Sequence, residues 1–148
     1  MNETRIISES PEWTEEYASR LARQFGAATV LALRGDLGAG KTVFARGVAR
    51  GLGVTEPVTS PTFALVQEYD CPGGARFVHA DMYRIQDPLE ALSTGIEDLL
   101  FAPGTVTVIE WAERIADVLL EAPPTGQLVY VTIEHSGEHR RIITVGSS

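Results

Sequence analysis

Apolar positions along this chain follow different rhythms, and each predicts an element. Ala27-Ala28-Thr29-Val30-Leu31-Ala32-Leu33 is a continuous apolar run with β-branched members, the pattern of a strand buried on both faces of a parallel sheet. Val106-Thr107-Val108-Ile109 repeats it, so Thr105 to Ile109 is predicted as a second buried strand. Helical spacing takes over elsewhere. Trp13, Tyr17, Leu21 and Phe25 share one face of a predicted helix that Ser10 caps and Pro11 opens. Val43, Phe44, Val48 and Leu52 form another stripe, ending near Gly51 and Gly53. Asp87-Pro88-Leu89-Glu90 has the form of a helix start, with an acid three residues after the cap. A further helix is predicted over Trp111 to Leu120.

Alternating segments complete the pattern. Residues 4–8 read as a short strand. Phe63 to Tyr69 and Arg76 to Ala80 flank a turn at Cys71 to Gly74, which predicts an antiparallel hairpin. Leu128 to Ile133 and Arg141 to Val145 flank Ser136-Gly137-Glu138 as a terminal hairpin. No repeat, linker or low-complexity tract interrupts the chain. The sum is one α/β domain over residues 1–148, a sandwich whose mixed sheet is parallel at its centre and antiparallel at its edges.

Between the first buried strand and the helix stripe lies GDLGAGKT, Gly35 to Thr42, which fits the phosphate-binding pattern G-x-x-x-x-G-K-[ST]. Strand, glycine loop, helix is the order that motif requires. Lys41 is the only lysine in the chain; every other strongly basic residue is arginine. A loop that wraps a triphosphate explains the exception, because a slim ammonium reaches outer phosphates where a forked guanidinium does not fit. The glycines let backbone N–H groups turn toward the phosphates, and Thr42 offers a hydroxyl to Mg²⁺.

Composition narrows the picture. A length of 148 residues suffices for one packed core. The single cysteine, Cys71, excludes an internal disulfide and a cysteine-based metal cluster, and it reads as a turn residue beside Pro72-Gly73-Gly74. The first apolar run is far too short to span a membrane, and the opening MNETRIISES lacks a signal-peptide core, so a cytoplasmic protein is expected. A net charge of −8 argues against a broad phosphate-backbone footprint, so DNA is not an expected partner and RNA contact by this chain alone is not either.

A nucleotide-hydrolysing site also needs an acid near Mg²⁺ and a group to orient the nucleophile. Glu110 closes one apolar strand and Asp81 closes the run Phe77-Val78-His79-Ala80, both at carboxyl ends, where ligands gather in parallel sheets. Ser60-Pro61-Thr62-Phe63 places hydroxyls where a loop could fold over a γ-phosphate, although a proline turn with a cap accounts for the same residues. His79, His135 and His139 are not at metal-ligand spacing, so a structural or surface role is expected for them.

GDLGAGKT, SPTF, HADMYR at His79 to Arg84, GIED at Gly95 to Asp98 and IEW at Ile109 to Trp111 stand in the order and spacing of the bacterial TsaE proteins, also called YjeE. The chain resembles that family over nearly its whole length, more weakly after Ala122. The resemblance implies a P-loop NTPase-like three-layer α/β sandwich that binds ATP or ADP with Mg²⁺ and hydrolyses ATP slowly. It implies a role in making threonylcarbamoyladenosine in tRNAs that read codons beginning with A, together with TsaB and TsaD, with tRNA met only through that complex. Under the resemblance Asp36, Leu37, Gly38, Ala39, Gly40, Lys41, Thr42 and Val43 surround the phosphates, with Lys41 as phosphate ligand. Thr42 and Glu110 become the Mg²⁺ ligands, Asp81 the residue needed for hydrolysis and Thr62 a sensor of the terminal phosphate. Trp111 is placed close to the site and Arg140 along the nucleotide. Val43 departs from the pattern, since many relatives carry a second threonine there. A small-molecule kinase with Asp81 as base, or a nucleotide-sensing module without turnover, would use the same loop.

Overall fold

A computed structural model describes residues 3–25, 28–36, 38–59, 66–87, 89–90, 95–119 and 126–147. The elements are β1 (Glu3–Ser8), α1 (Pro11–Ala22), β2 (Thr29–Arg34), α2 (Lys41–Gly51), β3 (Val66–Asp70), β4 (Arg76–Asp81), α3 (Ile96–Leu99), β5 (Thr105–Glu110), α4 (Ala116–Leu119), β6 (Gln127–His135) and β7 (Arg141–Ser147). The strands form one sheet in the order β1-β7-β6-β2-β5-β4-β3. β6, β2, β5 and β4 run parallel, while β3 on β4, β7 on β6 and β1 on β7 are antiparallel. The parallel centre and antiparallel edges match the expectation. What local patterning did not specify is that β1 closes the far edge by pairing with the last strand.

Because β2 lies inside the sheet, its alternate side chains enter opposite cores. Leu31 and Leu33 pack with Phe44 and Val48 of α2 and with Ala18 and Ala22 of α1. Val30 and Ala32 pack on the other side with Ile96, Ile115 and Leu119. Each large apolar side chain buried this way contributes about 1.5–3 kcal/mol, and the continuous apolar run of β2 follows from having no solvent face.

The α1–α2 contact adds a small-residue seam to the predicted aromatic face, of which Tyr17, Leu21 and Phe25 pack partly buried against the core and Tyr17 meets Phe44 of α2 with ring centroids 6.5 Å apart. The buried residues of α1 are Thr14, Ala18, Ser19 and Ala22, whereas Trp13 is 37% exposed and stacks on Tyr17 at the rim, with centroids 5.7 Å apart. At Gly47 and Gly51 the helices approach too closely for a side chain. A Cβ at Gly47 would stand 2.4 Å from the Glu15 carbonyl oxygen, and one at Gly51 would stand 2.2 Å from that of Ser19. Ser10 caps α1 as predicted, its hydroxyl accepting from the Trp13 N–H at 3.1 Å.

Around Asp87 the predicted cap is also present. The Leu89 N–H donates to Asp87 Oδ1 at 3.0 Å and the Asp87 N–H donates to Glu90 Oε1 at 3.3 Å, a reciprocal arrangement. The helix predicted over Trp111 to Leu120 is not continuous: Trp111 is left-handed (φ 58°, ψ 41°), Ala112–Ile115 is a 3₁₀ turn, and α4 ends at Leu119. A left-handed residue turns the chain sharply off the end of β5, so a regular helix cannot start there. Phe63 and the Ser60 to Thr62 loop fall outside the described residues. Among the described residues no helix is long and apolar enough to cross a membrane.

Candidate functional site

The glycines of the loop after β2 have separable reasons. A Cβ at Gly35 would lie 2.6 Å from the Ile133 carbonyl oxygen of β6, so the loop can leave the sheet here only on a residue without one. Gly40 precedes α2 at φ 108° and provides no side-chain cap, which leaves N–H groups of the first turn without that competitor. Arg141, at the start of β7, binds the loop from outside. Its Nε donates to the Ala39 carbonyl at 3.1 Å and its Nη2 to that of Gly38 at 3.4 Å, and these bonds fix the orientation of the loop's peptide planes.

Lys41 is 4% exposed. Its ammonium donates to the carbonyls of Gly35 and, at 3.0 Å, of Asp36, and lies 4.1 Å from the centre of the Trp111 ring. Burial holds its pKa below that of an ordinary lysine, against the opposing pull of Glu110, Glu113, Asp81 and Asp36. The Thr42 hydroxyl lies 3.1 and 3.2 Å from the two carboxylate oxygens of Glu110. Glu110 is itself buried, and its Oε2 lies 2.5 Å from His79 Nε2. Asp81 and Glu110 are register partners on adjacent parallel strands. Burial, the largest influence, raises the Asp81 carboxyl pKa and Glu110 adds to it, while the Tyr83 N–H bond, His79 and Lys41 act the other way. The Tyr83 N–H donates to Asp81 Oδ1 at 3.0 Å.

These groups open on one cleft of about 350 Å³, lined by Gly38, Gly40, Lys41, Thr42, Val43, Asp81, Tyr83, Glu110 and Trp111. A smaller cavity of about 150 Å³ lies beyond the loop, sharing Gly38, Gly40 and Val43 and bounded by Pro11, Thr14, Ala39, Glu138, His139 and Arg141. A glycine-rich loop, a buried lysine and paired strand-end acids thus occupy one rim of the sheet. The family model described as "Threonylcarbamoyl adenosine biosynthesis protein TsaE" matches residues 8–143. The chain belongs to the TsaE family. A TsaE protein of Bacillus subtilis is 36% identical over 97% of this chain and 85% of that one. One of Mycobacterium tuberculosis is 40% identical over 73% of this chain and 68% of that one. The crystal structure of Bacillus subtilis YdiB shares the fold with a TM-score of 0.75 and 31% identity, over 99% of this chain and 86% of that one. The family's role is threonylcarbamoyladenosine biosynthesis, as the motifs implied.

Within this TsaE-family chain, most residues singled out in the sequence line the two cavities. Lys41, Thr42, Val43, Gly38, Gly40, Asp81, Glu110 and Trp111 face the larger cleft, and Ala39 faces the smaller. Asp36 contributes its carbonyl to Lys41. Arg140 is displaced from both linings and pairs with Glu9 at 3.4 Å on the surface; the cation on the loop is its neighbour Arg141. Leu37 and Thr62 lie outside the described residues.

Two residues gain a place beside the loop and the acids: Arg141, which the sequence does not single out, and His79, for which it predicts a structural or surface role; strand parity holds the signal for both. Ile143 enters the core on the α1–α2 face, so Arg141, two residues earlier, shares that side and Arg140 does not. His79 shares the side of Asp81 for the same reason. Among the described residues no group of three or more His, Cys, Asp or Glu side chains is placed to hold a metal ion. The Thr42 and Glu110 oxygens are nevertheless a hard donor pair, which suits Mg²⁺ held mainly by phosphates and water rather than by a protein cage.

Proposed function

We propose that the chain binds ATP with Mg²⁺ in the larger cleft and hydrolyses it slowly, driving threonylcarbamoyladenosine formation through the TsaB and TsaD proteins. The observation that carries this reading is the convergence of Lys41 and Thr42 from α2, Glu110 from β5 and Asp81 from β4 on one cleft. Lys41 exchanges loop carbonyls for outer phosphate oxygens, a charge-assisted contact in a site sheltered from water. Thr42 and Glu110 would hold Mg²⁺, which when bound offsets the charge on the phosphates. Asp81 orients the attacking water and takes its proton. A carboxyl whose pKa burial has raised is a better base for that task than an ordinary aspartate. The smaller cavity continues along the loop and gives the rest of the nucleotide a place to lie.

Slow turnover by the isolated chain fits the lining of the cleft. Lys41 is its only cation among the described residues, whereas fast phosphoryl transfer uses a second one, often supplied by a partner. The partner proteins would complete the site, and the nucleotide would in turn bias their conformation. Reconstitution of the modification with TsaB, TsaD, tRNA and ATP tests the reading. Product should require this chain with hydrolysable ATP, and ATP consumption should rise when the partners are added. Turnover unchanged by the partners, with phosphate passed to an added metabolite, would replace this reading with a kinase.

A further inference from the structure

His79 is the most enclosed ionisable side chain beside the cleft, with no exposed surface, yet it lines neither cavity. Its Nε2 stands 2.5 Å from Glu110 Oε2, while its Nδ1 has no hydrogen-bond partner among the described residues. A residue that merely filled this position beside the Phe77 ring would do better without nitrogen, since a buried polar atom left unpaired costs free energy that an apolar side chain avoids. The one polar contact of the ring among the described residues is therefore the feature to explain. Strand geometry makes that contact possible: His79 is level with Val108 on the neighbouring strand, and reaches diagonally to the acid two residues further on.

We propose that His79 is a positioning residue for the Glu110–Thr42 pair. The terminal torsion of a glutamate is soft, so a carboxylate held at one oxygen only by a threonine hydroxyl would turn readily. The Nε2–H of His79 donates to Oε2 and fixes the carboxylate plane. In that plane both oxygens stand within 3.2 Å of the Thr42 hydroxyl at the head of α2. β4, β5 and α2 are thereby tied through three side chains, and the oxygen pair suited to Mg²⁺ is oriented before any ligand arrives. A donor behind a ligating carboxylate is the usual way a metal site sets ligand orientation. This inference rests on the proposed Mg²⁺–nucleotide reading for its consequence, but its geometry concerns the free protein.

The experiment has two arms. In the first, ring ¹⁵N–¹H correlation spectra of the free protein, without nucleotide or metal, should show one exchange-protected imidazole N–H, on Nε2 of His79. His135 and His139 are exposed and should give none. The signal should disappear in Glu110→Ala. In the second, binding of a fluorescent ATP analogue is titrated with Mg²⁺. His79→Leu should raise the Mg²⁺ concentration at half-saturation about tenfold while leaving metal-free nucleotide affinity within about twofold. His79→Gln, whose side-chain amide reaches as far as Nε2, should return to within about threefold of wild type, and the shorter His79→Asn should not. A merely structural role would lower melting temperature and both affinities together, without rescue by glutamine. A ring proton on Nδ1, or wild-type Mg²⁺ dependence in His79→Leu and His79→Asn, would overturn the proposal. If wild type shows no Mg²⁺-dependent binding at all, the nucleotide reading fails, and the first arm still decides whether His79 orients Glu110.

Discussion

Two regions reach the loop of Gly35 to Thr42 from opposite sides and act on it differently. The ends of β4 and β5 bring ionisable side chains, Asp81 and Glu110 with His79 behind them. The β6–β7 hairpin brings a single guanidinium, and it binds backbone carbonyls rather than facing the larger cleft. The first region is central, with His79 and Glu110 buried and Asp81 half-buried; the second is an edge, with Glu138, His139 and Arg140 exposed at its tip. The contrast teaches where this fold keeps chemistry. Side chains that must meet reacting atoms sit on parallel strands whose register is fixed by neighbours on both sides, while loop conformation is delegated to an antiparallel edge.

If this division is right, Lys41→Ala should have the largest effect on the site. Removing the only ammonium on the cleft should lower ATP affinity at least about a hundredfold by calorimetry, with the circular dichroism spectrum unchanged because Lys41 packs on the loop rather than in either apolar core. Asp81→Asn should sharpen the comparison: turnover should fall about a hundredfold with nucleotide affinity within about threefold. The same substitution should stabilise the fold. Because burial raises the Asp81 pKa above its ordinary 3.8, the folded state binds the proton more tightly than the unfolded one. The carboxylate therefore costs stability increasingly as pH rises above 3.8, up to the raised folded value. Asparagine should raise the melting temperature on the order of 2 °C at neutral pH, and the difference should vanish in scans below the unfolded value.

On the other side of the loop, Arg141→Ala should weaken nucleotide binding by about tenfold, the cost of releasing carbonyls held by a charged donor. Saturated turnover should be unchanged. A hundredfold fall in turnover would show that the hairpin takes part in the chemistry and would erase the distinction. Gly47→Ala should touch neither region: its Cβ meets the Glu15 carbonyl at 2.4 Å, so denaturant unfolding should report a loss of about 1–3 kcal/mol with ATP affinity retained.

How legible all this was depended on whether the signal was local. The strand, glycine loop and helix of β2 to α2, the buried runs of β2 and β5, the Ser10 cap and both hairpins follow from motif, period and turn chemistry within short windows. The pairing of β1 with β7 does not, because it joins the two ends of the chain. The small-residue face of α1 was masked by its aromatics: hydrophobicity picks out Trp13 and Tyr17, whereas close helix approach selects Ala18, Ser19 and Ala22 against Gly47 and Gly51. Arg140 is placed along the nucleotide only by the family resemblance, and the parity set by Ile143 is what puts its neighbour Arg141 on the side of the loop. His79, predicted as structural or at the surface, is buried, and its contact with Glu110 is not legible locally because that partner lies on the next strand.

The proposed nucleotide site is the loop of Gly35 to Thr42 with Asp81 and Glu110. It is tested most directly by backbone amide NMR during titration with a non-hydrolysable ATP analogue and Mg²⁺. Saturable shifts should centre on Gly38 to Val43, Asp81, Glu110 and Trp111, with the cavity around Ala116 and Tyr130 on the opposite side of the sheet unaffected. Saturation with the loop amides silent and the shifts clustered at that other cavity would contradict the account.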